Sequence, residues 1–160
     1  MNTVYFLLGS NIKTKQQQIN KAESMIGNAV GKIVRSSSMY ETEPWGFEAQ
    51  ESFYNRVLMC ETNLSPEACL QNCLSIEKDM GRVRKPGTYS SRAIDIDILF
   101  YNREAITSKG LKIPHPRLHL RKFVLEPLNE LCPDLVHPEM NKSIRQLLQE
   151  CEDECWVRKL

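Results

Sequence analysis

At 160 residues the chain is long enough to bury one core, and a single domain over residues 1–160 is expected. Its 21 Lys and Arg against 20 Asp and Glu leave a formal charge of +1, which gives no global field for nucleic acid or an anionic membrane, so any phosphate affinity must come from a local cluster. Six cysteines without a secretion-type leader argue for reduced thiols in the cytoplasm rather than a disulfide framework: the apolar run Val4 to Leu8 is too short and lacks a basic flank.

In chain order, Thr3 to Leu8 reads as an apolar strand, and Gly9-Ser10-Asn11 turns out of it. Ile19, Ala22, Ile26 and Ala29 place one apolar face on a helix over Thr14 to Val30, which Gly31 closes as a C-cap. Lys32 to Glu41 reads as a second strand, serine-rich and so not central. Thr42 to Gln50 is a loop with Trp45 and Phe47 at its tip, two rings that are expensive to leave wet and are expected to cover something.

Ser52 to Asn63 reads as a third strand, with Phe53, Asn55, Val57 and Met59 on one face and Tyr54, Leu58 and Cys60 on the other. Ser65 as N-cap and Pro66 at the first helical position open a helix that runs to Met80, with Leu70, Cys73, Leu74 and Glu77 adjacent on its surface. Gly81 to Gly87 is a loop dense in positive charge (Arg82, Arg84, Lys85), and Arg92 follows it.

The stretch Arg92 to Phe100, R-A-I-D-I-D-I-L-F, alternates strictly: Ile94, Ile96 and Ile98 point one way, Asp95 and Asp97 the other. Two residues along a strand is about 6.5 Å, so the two carboxylates stand side by side and repel unless a cation joins them. Oxygen-only ligands on a rigid strand suit Mg²⁺, and such a pair can span two bridged ions about 3.5–4 Å apart. Guanidinium groups delivered beside an acid pair make a site for a polyphosphate, because their forks take non-bridging oxygens bidentately.

Downstream, Asn102-Arg103 is a hairpin turn into a partner strand over Glu104 to Ile106, and Lys112 to Pro116 is extended. Arg117 to Leu131 reads mostly helical, with Pro127 at a start or a kink, and Lys142 to Cys151 as a closing helix. The order β-α-β-β-α-β implies an α/β (α+β) fold of the split βαβ kind, an antiparallel sheet with its first two helices on one face. Phe53 and Asn55 then share a face, one offering a flat surface and the other a two-way amide, as a planar heterocycle requires. In the basic run from Ile113 to Phe123, His115 and His119 lack the glutamate of a zinc helix, so phosphate donors are the better reading. Cys69/Cys73 and Cys151/Cys155 have i,i+4 spacing but no C-x-x-C, and read as buried thiols. A non-catalytic RNA-binding module would want exposed strand aromatics without paired acids. A metal-dependent phosphohydrolase would not need Phe53, Asn55 and Phe123.

Together the motifs R-A-I-D-I-D-I-L, G-R-V-R, T-E-P-W-G…Q…F-Y-N, I-P-H-P-R…R-K-F-V-L-E-P-L and the turn from Leu8 to Asn11 resemble the 6-hydroxymethyl-7,8-dihydropterin pyrophosphokinase family of folate biosynthesis, over essentially the whole chain. The resemblance implies a ferredoxin-like sheet on which ATP and a reduced pterin, 6-hydroxymethyl-7,8-dihydropterin, meet, with pyrophosphate transferred and AMP released. It implies that Asp95 and Asp97 hold two Mg²⁺, that Arg82 and Arg92 clamp the phosphates, and that Arg84, His115 and Arg121 assist. Phe53 and Phe123 would sandwich the pterin, Asn55 would read its amide edge, and Thr42 and Trp45 would complete that pocket. Glu77 would support the ATP site, and Ile98, Leu111 and Lys112 would contact adenine and ribose. Nucleic acid, membrane and an obligate protein partner are not expected. Where the family has a basic residue and a Gly or Ala, this chain has Thr88 and Ser90, which changes the approach to Arg92; Tyr89, Trp45, Phe53 and Leu120 also depart from the usual residues. The segments 43–51 and 82–91 are expected to act as lids over bound ATP.

Overall fold

Asn2–Ser10 forms strand β1, an interior strand of the main sheet in the computed structural model, which describes residues 1–43, 51–81 and 93–160. The unbroken apolar run Val4 to Leu8 lets β1 bury both faces, and it pairs antiparallel with β4 (Phe53–Thr62) on one side and β5 (Asp95–Tyr101) on the other. The sheet runs β5-β1-β4-β3-β8, where β3 is Tyr40–Thr42 and β8 is Val157–Lys159, and β2 (Lys32–Ser36) pairs with the far end of β4. Helices α1 (Lys15–Ala29) and α2 (Pro66–Asp79) close one face: Ile19 and Ile26, with Cys69, Cys73 and Ile76, pack on Phe6, Leu8, Leu58, Ile96 and Ile98. On the other face α3 (Lys122–Leu131) and α4 (Ile144–Glu150) cover Tyr5, Leu7, Val57, Leu99 and Phe100. At roughly 1.5–3 kcal/mol for each fully buried Leu, Ile or Phe, this packing outweighs exposed ion pairs worth about 0–1 kcal/mol, such as Lys142–Glu150 at 2.8 Å. The split βαβ order is the one the sequence pattern implies.

Several local expectations are corrected. The second strand breaks in two, because the Ser37 Oγ accepts the Val57 N–H at 3.0 Å and Glu130 of α3 takes the Ser38 N–H at 2.9 Å, so serine side chains and a carboxylate interrupt the ladder. Gly31 has no left-handed φ; a Cβ there would lie 2.1 Å from the Glu61 carbonyl oxygen, so close backbone approach and not capping requires glycine. The buried stripe of α2 is Cys69, Cys73, Ile76 and Glu77, and Leu74 is 39% exposed. The Ser65 cap holds, its Oγ accepting the Ala68 N–H at 3.1 Å.

Past Asn102 the chain does not fold back onto β5. Strand β6 (Ile106–Ser108) pairs with β7 (Leu111–Ile113) as a separate ribbon. The outer edge of β5 is closed instead by the His115 N–H on the Leu99 carbonyl at 3.1 Å and by Glu77. Leu118–Leu120 forms a 3₁₀ turn, so α3 starts only at Lys122 and Pro127 falls inside it, where its missing N–H removes the bond to the Phe123 carbonyl. No helix among the described residues is long and apolar enough to cross a membrane.

His137, 4% exposed, accepts the N–H groups of Glu139 and Met140 on Nδ1 and meets the Phe100 ring edge-on at 5.8 Å. Burial pushes its imidazole below the ordinary value, as it does for His115. The folded state therefore binds protons less readily than the unfolded chain. The stability this contributes is present above about pH 6.5 and is lost as pH falls through the depressed value. Urea midpoints are expected to fall between pH 7.5 and 5.5, and His137→Gln to flatten part of that slope.

Candidate active site

Directly opposed residues in an antiparallel pair share a face, and the register around Gly9 assembles the site. Gly9 lies opposite Asp95 on one side and Asn55 on the other, Leu7 opposite Asp97 and Val57, and Thr42 opposite Phe53. Phe53, Asn55, Asp95 and Asp97 thus stand on the face that carries α3. With strands about 4.8 Å apart, the acid pair and the Asn55 amide are separated by roughly 9–10 Å across Gly9. A Cβ on Gly9 would sit 2.7 Å from Asn55 Nδ2. Gly9→Ala is expected to push that amide aside, raising the Michaelis constant of the ligand it reads about tenfold with a smaller change in the other substrate's; steady-state kinetics with each substrate varied checks this.

The acid strand is held from behind. Glu77, 3% exposed on α2, accepts the Ile96 N–H on Oε2 at 2.8 Å, fixing the peptide between the two aspartates. By the same ladder parity Ile98 turns its backbone N–H and C=O to the outer edge of β5, near Leu111 and Lys112 of β7. The Ile98 and Leu111 side chains are buried in the α1/α2 core, whereas Lys112 is exposed and pairs with Glu139 at 3.8 Å. Asp95 and Asp97 are partly exposed. Among the described residues no group of three or more His, Cys, Asp or Glu side chains gathers to enclose a metal ion. Two carboxylates on a rigid strand fit Mg²⁺, which is commonly held by one or two carboxylates with water and phosphate oxygens filling the remaining positions.

Toward α3 the surface changes character. Asn55 is 5% exposed, and its amide makes two long contacts: Nδ2 donates to the Leu8 carbonyl and Oδ1 accepts from the Thr42 hydroxyl, both at 3.4 Å. Such long bonds leave the amide able to exchange them for a ligand's. Phe53 and Phe123 are half-buried, and the Arg121 guanidinium lies 5.6 Å from the Phe123 ring centre. Burial and the nearby Arg117 work against the Arg121 charge, while the carboxylates of Asp97 and Asp153 support it. The Nδ1 of His115 accepts the Arg117 N–H at 3.2 Å, which assigns the proton of the neutral ring to Nε2 as a donor.

Thr42, Phe53, Asn55, Asp95, Asp97, Arg121 and Phe123 therefore meet on or beside one sheet face. Trp45, Arg82, Arg84 and Arg92, the departures at Thr88, Tyr89 and Ser90, and nearly all of both lid segments lie outside the described residues. At two positions the structure adds a contact that the sequence pattern does not carry. Gly9, expected to turn the chain, stays in the strand and lets Asn55 approach closely, as a glycine near a strand end allows. Glu77, expected as a carboxylate supporting the ATP site, gives its Oε2 to the Ile96 N–H of the acid strand.

A family model described as 7,8-dihydro-6-hydroxymethylpterin-pyrophosphokinase (HPPK) matches residues 5–133. The chain belongs to the HPPK family. It is 39% identical over 150 residues to a 2-amino-4-hydroxy-6-hydroxymethyldihydropteridine pyrophosphokinase of Aquifex aeolicus, covering 94% of this chain and 92% of that protein. It is 41% identical over 150 residues to the folic acid synthesis protein fol1 of Pneumocystis carinii, covering 94% of this chain and 20% of that protein. Among solved structures, a Plasmodium falciparum HPPK-DHPS triple mutant superposes with a TM-score of 0.78 at 20% identity, covering 93% of this chain and 44% of the other. The chain thus spans a fifth of the fungal relative and nearly all of the bacterial one. As a member of the HPPK family it is an ATP-dependent pyrophosphokinase that transfers pyrophosphate to 6-hydroxymethyl-7,8-dihydropterin in folate biosynthesis.

Proposed function

We propose that residues 1–160 act as one domain, that the ATP triphosphate lies over Asp95 and Asp97, and that the pterin lies between Phe53 and Phe123 with its hydroxymethyl oxygen facing the β-phosphorus. The register around Gly9 carries this reading: an acid pair and a buried, loosely engaged amide flank one glycine, at a spacing a bicyclic ring and its hydroxymethyl arm can bridge.

Asn55 reads the amide edge of the pterin, and Thr42 and Trp45 complete its pocket. Arg82 and Arg92 clamp the phosphates, with Arg84, Arg121 and the Nε2–H of His115 as further donors. Backbone at Ile98, with Leu111 and Lys112, meets adenine and ribose, and Glu77 holds the acid strand in place. Asp95 and Asp97 would hold the Mg²⁺, two ions in this reading, which when bound neutralises phosphate charge and makes the hydroxyl a better nucleophile. The new bond joins the hydroxymethyl oxygen to the β-phosphorus, the bond from that phosphorus to the α–β bridging oxygen breaks, AMP leaves with the bridging oxygen, and the hydroxyl proton passes to solvent.

All six cysteines are free thiols, which supports a cytoplasmic setting. The bacterial relative, of which this chain covers 92%, supports action without an obligate partner. Incubation with MgATP and 6-hydroxymethyl-7,8-dihydropterin is expected to yield AMP and the pterin pyrophosphate in equal amounts; ADP or free phosphate as the product would overturn the proposal.

A further inference from the structure

Residues 151–159 cross from the start of α3 to β3, which they join as β8, linking the two walls between which the pterin is proposed to lie. Their exposure alternates: Cys151, Asp153, Cys155 and Val157 turn inward, and Glu152, Glu154, Trp156 and Arg158 outward. At the first wall, Asp153 Oδ2 accepts the N–H of Lys122 at 3.0 Å. That N–H opens α3, whose cap residue Arg121 makes no side-chain cap of its own. Asp153 Oδ1 accepts the Cys155 N–H, also at 3.0 Å, which bends the segment toward the sheet. At the second wall, the Trp156 N–H bonds to Glu43 Oε1 at 3.2 Å, and Val157 pairs with Thr42, the residue opposite Phe53.

We infer that Asp153 is a positioning residue for pterin binding: it fixes the first turn of α3, and so sets where Phe123 and Arg121 stand relative to Phe53, Asn55 and Thr42. A carboxylate at a helix N-terminus satisfies an N–H that the helix leaves without a partner and opposes the positive end of its dipole. Burial alone would raise the carboxyl's pKa, but the Cys155 and Lys122 N–H groups outweigh it and hold Asp153 below the usual carboxylate range, so it is ionised at neutral pH. The negative charge also lies close enough to support the Arg121 guanidinium, which Asp97 supports as well. Loss of the carboxylate frees the first turn of α3 to shift along the sheet and removes one of the carboxylates that support the Arg121 charge. The pterin slot changes width while the outer edge of β5 is untouched.

This inference rests on the proposed pterin site, and the test separates the two. Binding of 6-hydroxymethylpterin and of a non-hydrolysable MgATP analogue is measured by titration for the wild type, Asp153→Ala and Asp153→Glu, with thermal melts of each. Asp153→Ala is expected to weaken pterin binding about 5- to 10-fold, and nucleotide binding, for which Arg121 is one of several proposed phosphate donors, by a smaller factor of about two to three. Asp153→Glu, which keeps both acceptor oxygens, is expected to recover most of the pterin affinity. If Asp153→Ala does not fold, Asp153→Asn, with one acceptor oxygen left, reads the same split. Equal weakening of both ligands, or unchanged pterin affinity, would overturn the role of Asp153 while leaving the site reading intact. A wild-type protein that binds no pterin would overturn the site reading itself.

Discussion

Asp97→Ala is expected to lower turnover by about 10³-fold while the circular dichroism spectrum and melting temperature stay near those of the wild type. The side chain is partly exposed on the site face of β5, opposite Leu7, so its removal opens no cavity in either core. The β5–β1 ladder and the Glu77 bond to Ile96 are made by backbone N–H and C=O groups that the substitution leaves in place. In the proposed reading, what is lost is a carboxylate that would hold Mg²⁺ beside the phosphate tail, where the metal's neutralising effect would strengthen as charge shifts toward the leaving group. Initial rates of AMP release at saturating ATP and pterin check this. Turnover within tenfold of wild type would remove Asp97 from the chemistry.

Phe123→Ala is expected to raise the pterin dissociation constant by about 10- to 100-fold, from lost ring burial and stacking, with nucleotide binding nearly unchanged. Phe123 sits in the first turn of α3, partly buried against the core that holds Leu7 and Val57, under the Arg121 guanidinium. Its ring is therefore both held by the protein and available to a ligand. Some stability is also lost, so binding is measured well below the melting temperature of the variant. A parallel fall in affinity for both ligands would mean that the ring only packs.

The acid pair was legible because a period of two with β-branched neighbours is a local signal, and its face was legible because strand side chains alternate without exception until a bulge. The Ser65-Pro66 start of α2 was legible for the same reason, since capping chemistry involves adjacent residues. What the sequence hid is non-local. Val157-Arg158-Lys159 carries no strand pattern of its own and becomes β8 because β3 offers it an unpaired edge. Glu77 looks like the margin of an amphipathic helix, and only the approach of β5 reveals that its partner is a backbone N–H 19 residues away. The hairpin expected after Asn102 failed because the β5 edge is already taken by His115 and Glu77. At the site, alternation alone puts Phe53 with Asn55 and Asp95 with Asp97; that the two pairs share a face follows only from their register with Gly9 and Leu7 of β1. The contact of Gly9 with Asn55 and the tie from Asp153 to α3 depend on strand register and on a segment returning from far along the chain.

In the proposed reading Asp95 and Asp97 together grip the metal that comes with the nucleotide. Mn²⁺ titration followed by electron paramagnetic resonance, in the presence of a non-hydrolysable ATP analogue, tests it most directly. Wild-type protein is expected to immobilise Mn²⁺ beyond what the free nucleotide binds, and Asp95→Asn with Asp97→Asn to abolish that excess while the protein still melts cooperatively. An unchanged count of bound Mn²⁺ in the double variant would contradict it.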